Sequence, residues 1–279
     1  MANLSFEKLK NVQEIFKQKK WDTNRIVKRF NSFDNFCEML GVLEFDEQDL
    51  IIELMSDYQV VSSTDIQMYY LMNAIKEIPA DLLSENIFVC PVIEQKDERQ
   101  NKHKSGKHFL YPVLESLKFE DAFSSLNLEI LDRVEHVAKY SDLDKTIIAV
   151  DDFIGSGDTV LEFLKYIKKF VSTENSKLVV VSAVAMEWGI RNISGNLSFI
   201  QAGLMLKKGI TDSDRLEDKV KAAGIMRKIE RKAGFLAENH FGYGAAEALV
   251  TLIRTPDNTF PIFWSEPREP KWSPPFKRS

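Results

Sequence analysis

Long apolar runs are missing from this chain. No stretch approaches the roughly 18 consecutive apolar residues of a membrane-spanning helix, so none is expected. Cysteine is scarce: only Cys37 and Cys90 occur, far apart and in apolar settings. That excludes a disulfide framework, argues against a cysteine-based zinc site, and makes a reducing cytoplasm the simplest compartment. A dominant charge is also lacking. Lys and Arg number 37 against 42 Asp and Glu, a net charge of −5, which gives no global reason to expect a nucleic-acid partner. The N-terminal MANLSFEKLK has no apolar core of the kind that a secretory signal carries. What is present is ordinary globular composition, 44% hydrophobic and 28% charged over 279 residues. At about 150 residues per domain this is one large domain or two small ones, and it excludes a disordered or collagen-like chain.

Residues 1–85 read as helical. Phe6, Leu9, Val12, Ile15 and Phe16 recur on one helix face, and further apolar stripes follow at Ile26–Leu40 and Leu50–Met55. Thr64 and Gln67 have capping-box spacing ahead of a helix that ends near Pro79. The texture changes at Ile87. The short runs Ile87–Val92, Thr146–Val150 and Leu178–Ala185 predict buried strands, with weaker ones at 126–131 and 197–206. A polar loop is expected over 94–108, a helix over 159–171, a charge-rich helix over 211–233, and a last helix or strand over 241–252. Continuous apolar strands alternating with helices predict a parallel sheet covered on both faces. The expected division is a helical region 1–85, an α/β domain 86–265 and an extended Pro-rich tail 266–279.

The segment TIIAVDDFIGSGDTVLEFL carries the chemistry. A buried strand is expected to end at Val150, followed by Asp151 and Asp152, two apolar residues, Gly155, Ser156, Gly157, Asp158 and Thr159, and then a helix. Ligands bind at the C-terminal edge of open parallel sheets. A Gly-Ser-Gly turn lets backbone N–H groups converge, and the helix N-terminus favours an anion. Ser156 and Thr159 add hydroxyl donors, which completes a monophosphate cradle. Paired carboxylates repel phosphate but accept hydrogen bonds from neutral hydroxyls. A phosphate seat beside a diol seat describes a ribose 5-phosphate. One competing reading is a generic strand–turn–helix in which Asp151 is a solvated strand end and Asp152 a turn residue; a second is a phosphatase of the haloacid dehalogenase type, which needs its second Asp two residues after the first, where Phe153 stands.

Residues 147–159 resemble the 5-phosphoribosyl-1-pyrophosphate loop of the type I phosphoribosyltransferases: four apolar residues, two acids, two apolar residues, then Gly155-Ser156-Gly157-Asp158-Thr159. The resemblance implies a type I phosphoribosyltransferase-like α/β fold, with Asp151 and Asp152 holding the ribose hydroxyls and Gly155 to Thr159 holding the 5-phosphate. It implies displacement of pyrophosphate by a nitrogen nucleophile, with Mg²⁺ held mainly by the ligand. Asp158 departs by placing a negative charge in the phosphate loop, so its side chain must turn away or phosphate affinity falls. Some proteins of this fold bind nucleotides without turning them over, which is the alternative reading.

A pyrophosphate leaving group needs cations at a second loop. The candidate is Lys96–His108, with Lys104, Ser105, Gly106 and Lys107 ahead of a helix. A solvated surface loop is the competing reading. The C-terminal HFGYGAAEALVTLIRTPDNTFPIFW resembles a signature of phosphoribosyltransferase-like proteins of bacterial conflict and antiviral-defence systems, with Asp257 in place of an Asn. That resemblance implies a defence effector. The N-terminal helices offer a surface for a protein partner, a second copy of the chain is an open partner, and no residue set has metal-ligand spacing.

Overall fold

The computed structural model describes residues 4–100, 105–172, 174–193, 195, 197–269 and 271–278. In chain order its helices are α1 (Phe6–Gln18), α2 (Arg25–Arg29), α3 (Ser32–Val42), α4 (Phe45–Asp57), α5 (Thr64–Lys76), α6 (Gln95–Arg99), α7 (Leu110–Leu117), α8 (Asp158–Ile167), α9 (Glu187–Ile193) and α10 (Lys219–Lys232). The strands are β1 (Gln59–Val60), β2 (Asn86–Pro91), β3 (Asn127–Ile130), β4 (Lys145–Ile154), β5 (Ser176–Met186), β6 (Phe199–Leu206) and β7 (Val250–Thr251). None of the described helices is long and apolar enough to cross a membrane.

Two compact units form. One joins the residues up to Thr64 to those from Lys207 onward; the other is Asp65–Leu206. These units cut the chain differently from the boundaries expected at 85 and 265. The physical reason lies in the first unit's core, where Phe16, Trp21, Phe36 and Tyr58 from the N-terminal helices share one apolar cluster with Phe260, Phe263, Trp272 and Phe276. Tyr58 stacks on Phe276 with centroids 4.8 Å apart, and the Tyr58 hydroxyl donates to the Val250 carbonyl. β1 and β7 pair in parallel, Gln59 with Val250 and Val60 with Thr251. The Pro-rich tail is irregular but not free, because Trp272 and Phe276 are buried in this core.

Local chemistry explains the elements of this unit. Ser5 caps α1 by accepting from the Lys8 N–H, and α1 buries Val12, Ile15 and Phe16. Phe6, expected on the same face, is exposed. Lys8 is buried in that first turn, its ammonium 3.4 Å from the Phe45 ring centroid and 2.6 Å from Asp49 Oδ1. α10 starts only at Lys219, where Asp218 caps it, so the expected 211–233 helix loses its first turns. The backbone N–H groups of Ile210 and Thr211 are instead drawn to Glu247 Oε2 at 2.9 and 2.7 Å. The 241–252 segment is neither a helix nor a full strand. Phe241, Gly242, Gly244, Ala245 and Glu247 all have positive φ, which no regular element accommodates.

The second unit holds a five-stranded parallel sheet in the order β3-β2-β4-β5-β6. One face carries Phe88, Cys90, Ile147, Ala149, Leu178 and Val180, which pack on Val160, Phe163, Leu164 and Ile167 of α8 and Ile193 of α9. The alternate residues Val89, Ile148, Val150, Val179 and Val181 are equally buried. α7 packs against β2 and β3, and the backbone of α5 at Tyr70 lies on Gly203 of β6. The α/β class and the parallel sheet flanked by helices are as expected from the alternation of apolar runs.

Candidate functional site

β2 and β4 are neighbours in the sheet but not in the chain. From β2 the chain passes to β3 on one side, then returns to β4 on the other. This is the switch point of an open α/β sheet, and its crevice lies outside the C-terminal ends of those two strands. Pro91 ends β2 opposite Val150 of β4, and the Val92 N–H donates to the Val150 carbonyl at 2.9 Å.

Asp151 and Asp152 follow immediately. The strand does not end at Val150 as expected. β4 runs on to Ile154, pairing Asp151 with Ser182, Phe153 with Val184 and Ile154 with Ala185. Backbone pairing continues because β5 is long enough to supply partners and the ladder uses main-chain groups, whatever charge the side chains carry. Asp151 is 9% exposed and Asp152 half-buried. Asp151 Oδ1 accepts from the Asp152 N–H at 3.0 Å, so the first carboxylate is held by its own backbone.

The next five residues make the turn into α8. Gly155, Ser156 and Gly157 are buried, and Gly157 takes φ +91° as the residue ahead of α8. A Cβ at Gly157 would lie 2.9 Å from Ile193 Cγ1. The turn is backed by α9, a support that sequence reasoning missed. A Cβ on Gly189 would come to 2.0 Å from the Gly155 carbonyl oxygen, so only glycine permits this approach. Asn192 Nδ2 donates to the Ser156 carbonyl at 3.3 Å. The one available signal was a glycine one turn into the element after a strong strand. α8 opens at Asp158 with its N-terminal amides on this turn, and Thr159 is half-buried in its first turn.

Asp158 does not turn away from the loop. Its Oδ2 accepts the Ser156 hydroxyl at 2.8 Å, while its own N–H lies 3.4 Å from Ser156 Oγ. The hydroxyl expected to donate to a phosphate therefore donates to a carboxylate.

The second loop reaches the same edge. Ser105–Phe109 forms a short 3₁₀ turn that packs on β4 and β2. Gly106 is buried there, and a Cβ on it would lie 2.7 Å from the Val150 carbonyl oxygen, 3.5 Å from Pro91 Cβ and 3.7 Å from Asp151 Cα. Lys107 is half-buried beside it and His108 exposed. Lys104 lies outside the described residues, as does the side chain of Ser105.

The start of this segment is not the polar loop expected. It forms α6, with Asp97 and Glu98 buried. Glu98 accepts the Val134 N–H at 2.9 Å and the Tyr166 hydroxyl at 2.6 Å; burial, then the hydrogen bond to Glu98 and its charge, push the Tyr166 phenol up. Lys96, counted among the loop's cations, pairs with Glu94 at 2.7 Å, and that hydrogen bond raises its pKa. The structure thus brings Asp151, Asp152, the 155–159 turn and Gly106 to one sheet edge, and ties Lys96 to Glu94. Among the described residues no group of three or more His, Cys, Asp or Glu is placed to hold a metal ion.

A family model described as PRTase-CE matches residues 42–278. Solved structures that match include the crystal structure of a purine phosphoribosyltransferase from Pyrococcus horikoshii Ot3. It is 12% identical, with 57% of this chain and 99% of that chain covered and a TM-score of 0.29. A comparison with curated proteins gave no match.

Proposed function

The chain belongs to the PRTase-CE family, and from that premise we propose that it binds 5-phosphoribosyl-1-pyrophosphate at the β2/β4 edge and transfers the phosphoribosyl group to a nitrogen nucleophile. The C1–N bond forms, the C1–O bond to pyrophosphate breaks, and the nucleophile gives up a proton. The observation that supports this reading most is the seat of Gly106 on the Val150 carbonyl and the Asp151 backbone, which brings the candidate pyrophosphate loop beside the first of the two acids.

In this reading the turn from Gly155 to Thr159 and the first amides of α8 take the 5-phosphate. Asp151 and Asp152 accept from the ribose hydroxyls and favour positive charge growing on the sugar ring. Gly106 brings backbone close to the leaving group, with Lys107 and, by sequence, Lys104 as cations. Two adjacent carboxylates, with no group of three or more ligating side chains placed to hold a metal among the described residues, fit a hard cation that draws most of its oxygen ligands from substrate and water, as Mg²⁺ does. When bound, Mg²⁺ supplies charge neutralisation on the departing pyrophosphate.

Calorimetry with phosphoribosyl pyrophosphate and Mg²⁺ tests the seat. Wild type binds, and the Asp151→Asn/Asp152→Asn double variant loses tenfold or more, about 1.4 kcal/mol. Equal affinity in the two proteins removes the role assigned to the carboxylates. Pyrophosphate release on adding candidate bases tests the transfer step separately. The similarity of the Pro256–Trp264 motif to conflict-system proteins supports a defence effector role. Phage challenge of cells carrying wild type or the double variant tests it.

A further inference from the structure

The proposed transfer leaves the C-terminal motif, residues 240–264, unused. Its interior is packing: Phe260, Ile262 and Phe263 are fully buried, and Asn258 Nδ2 donates to the Tyr243 carbonyl. Arg254 and Trp264 are not buried, and they line a cavity of about 460 Å³ with Ser265, Glu266, Lys277 and Arg278. That size falls within the roughly 300–1,000 Å³ of small-molecule sites.

The walls are held in place. The Phe276 N–H donates to the Phe263 carbonyl at 2.8 Å, the Arg278 N–H to the Trp264 carbonyl at 3.3 Å, and Thr255 Oγ1 to the Phe276 carbonyl at 2.9 Å. Trp264 spends its indole N–H on the Thr259 carbonyl at 2.8 Å, so it offers the cavity only ring surface. The Arg278 guanidinium lies 5.5 Å from the Trp264 ring centroid and pairs through Nη1 with Asp257 Oδ2 at 2.9 Å.

Two features of this cavity ask for an anion. Arg278 Nε is buried with no hydrogen-bond partner among the described residues, a donor that has lost water and gained nothing. Arg254 is exposed and makes no ion pair or hydrogen bond among the described residues. The carboxylates present are already matched, Asp257 by Arg278 and Glu266 by Lys277 at 2.5 Å. The unmatched charge of Arg254 and the exposed quarter of the Arg278 side chain are left over, beside an indole face.

We infer that the Arg254–Trp264–Arg278 cavity is a second ligand site, one that takes a nucleoside monophosphate with its phosphate on the guanidinium groups and its base against Trp264. Guanidinium forks suit phosphate oxygens, and a guanidinium 5.5 Å from the indole centroid sets positive charge beside the aromatic surface available to a base.

Titration of the full chain with AMP, followed by tryptophan fluorescence, tests this. Wild type shows saturable quenching. Arg254→Ala weakens AMP about tenfold, and Arg278→Lys, which keeps the charge but loses the fork, weakens it comparably. Asp151→Asn/Asp152→Asn keeps the quenching, which separates this site from the phosphoribosyl seat. Adenosine binds more weakly than AMP. Equal AMP affinity in wild type and Arg254→Ala overturns the inference, as does absence of saturation at millimolar AMP. So does quenching by a short single-stranded oligonucleotide but not by AMP, which points to a nucleic-acid groove instead. Arg254 is an exposed side chain with no partner, so its alanine variant is expected to fold, and circular dichroism confirms that point.

Discussion

Gly106 rests on the Val150 carbonyl so closely that a single added methyl group would sit 2.7 Å from that oxygen. Backbone cannot yield there without moving the end of β4, which also receives the Val92 N–H. Gly106→Ala is therefore expected to lift the 105–109 turn off the sheet edge. Affinity for phosphoribosyl pyrophosphate should fall at least tenfold while the melting temperature changes little. An unchanged affinity would show that this turn does not contribute to the seat.

The contact between Gly189 and Gly155 is tighter still, with an added Cβ 2.0 Å from a carbonyl oxygen. Gly189→Ala must push α9 away from the 155–159 turn. We expect it to abolish ligand binding and lower stability. Asn192→Ala removes one hydrogen bond to the Ser156 carbonyl, a loss of ~1 kcal/mol. It should raise KM more than it lowers kcat. Equal effects on both would argue that Asn192 has another role.

Asp158 keeps the Ser156 hydroxyl occupied and adds a negative charge to the turn proposed to seat the 5-phosphate. Asp158→Asn keeps an acceptor for Ser156 but removes the repulsion. Phosphate-bearing ligands should bind several-fold more tightly, and the gain should shrink as salt is added. Weaker binding in the variant would mean that the carboxylate orders the turn.

Glu230 is fully buried on α10 and accepts the Phe241 N–H with both carboxylate oxygens, at 2.9 and 3.1 Å. Burial pushes its pKa up to about 8, against the opposing pull of the Phe241 N–H and Arg227, with Glu247 adding to the rise. The folded chain then keeps a proton that the unfolded chain releases near the ordinary carboxylate value. Stability is highest in acid with respect to this group, falls as pH rises through that window, and levels off above pH 8. The limiting slope is about 1.4 kcal/mol per pH unit. Glu230→Gln should flatten the dependence and stabilise the protein at alkaline pH, read from melting temperatures across the range.

Phe276 lies in the Pro-rich tail yet stacks on Tyr58 and meets Trp21 edge-on at 5.9 Å. Phe276→Ala should cost about 3–5 kcal/mol, as for a core aromatic. A loss below ~1 kcal/mol would mean that the tail's docking contributes little to the first unit. Denaturant unfolding measures it.

The strands at 86–91, 145–150 and 176–186, the helix at 158–167 and the turn between Gly155 and Thr159 were legible because each is written in a few adjacent residues. Apolar runs, a Gly-Ser-Gly turn and a 3.6-residue stripe need no distant partner to be recognised. The continuation of β4 through Asp151 and Asp152 was not legible, since it depends on how far β5 extends beside it. Nor was α6, whose Asp97 and Glu98 look solvated until Val134 and Tyr166 are brought to Glu98.

What sequence alone determined is therefore local: an acid pair followed closely by a Gly-Ser-Gly turn into a helix. Tertiary structure decided which other segments stand beside them. Strand order put Gly106 on Val150, helix packing put Gly189 under Gly155, and the aromatic core joined the first 64 residues to the last 73 in one unit. Those pairings span tens to hundreds of residues, and they are set by the burial of apolar surface and by strand pairing, which no short stretch of chain encodes by itself.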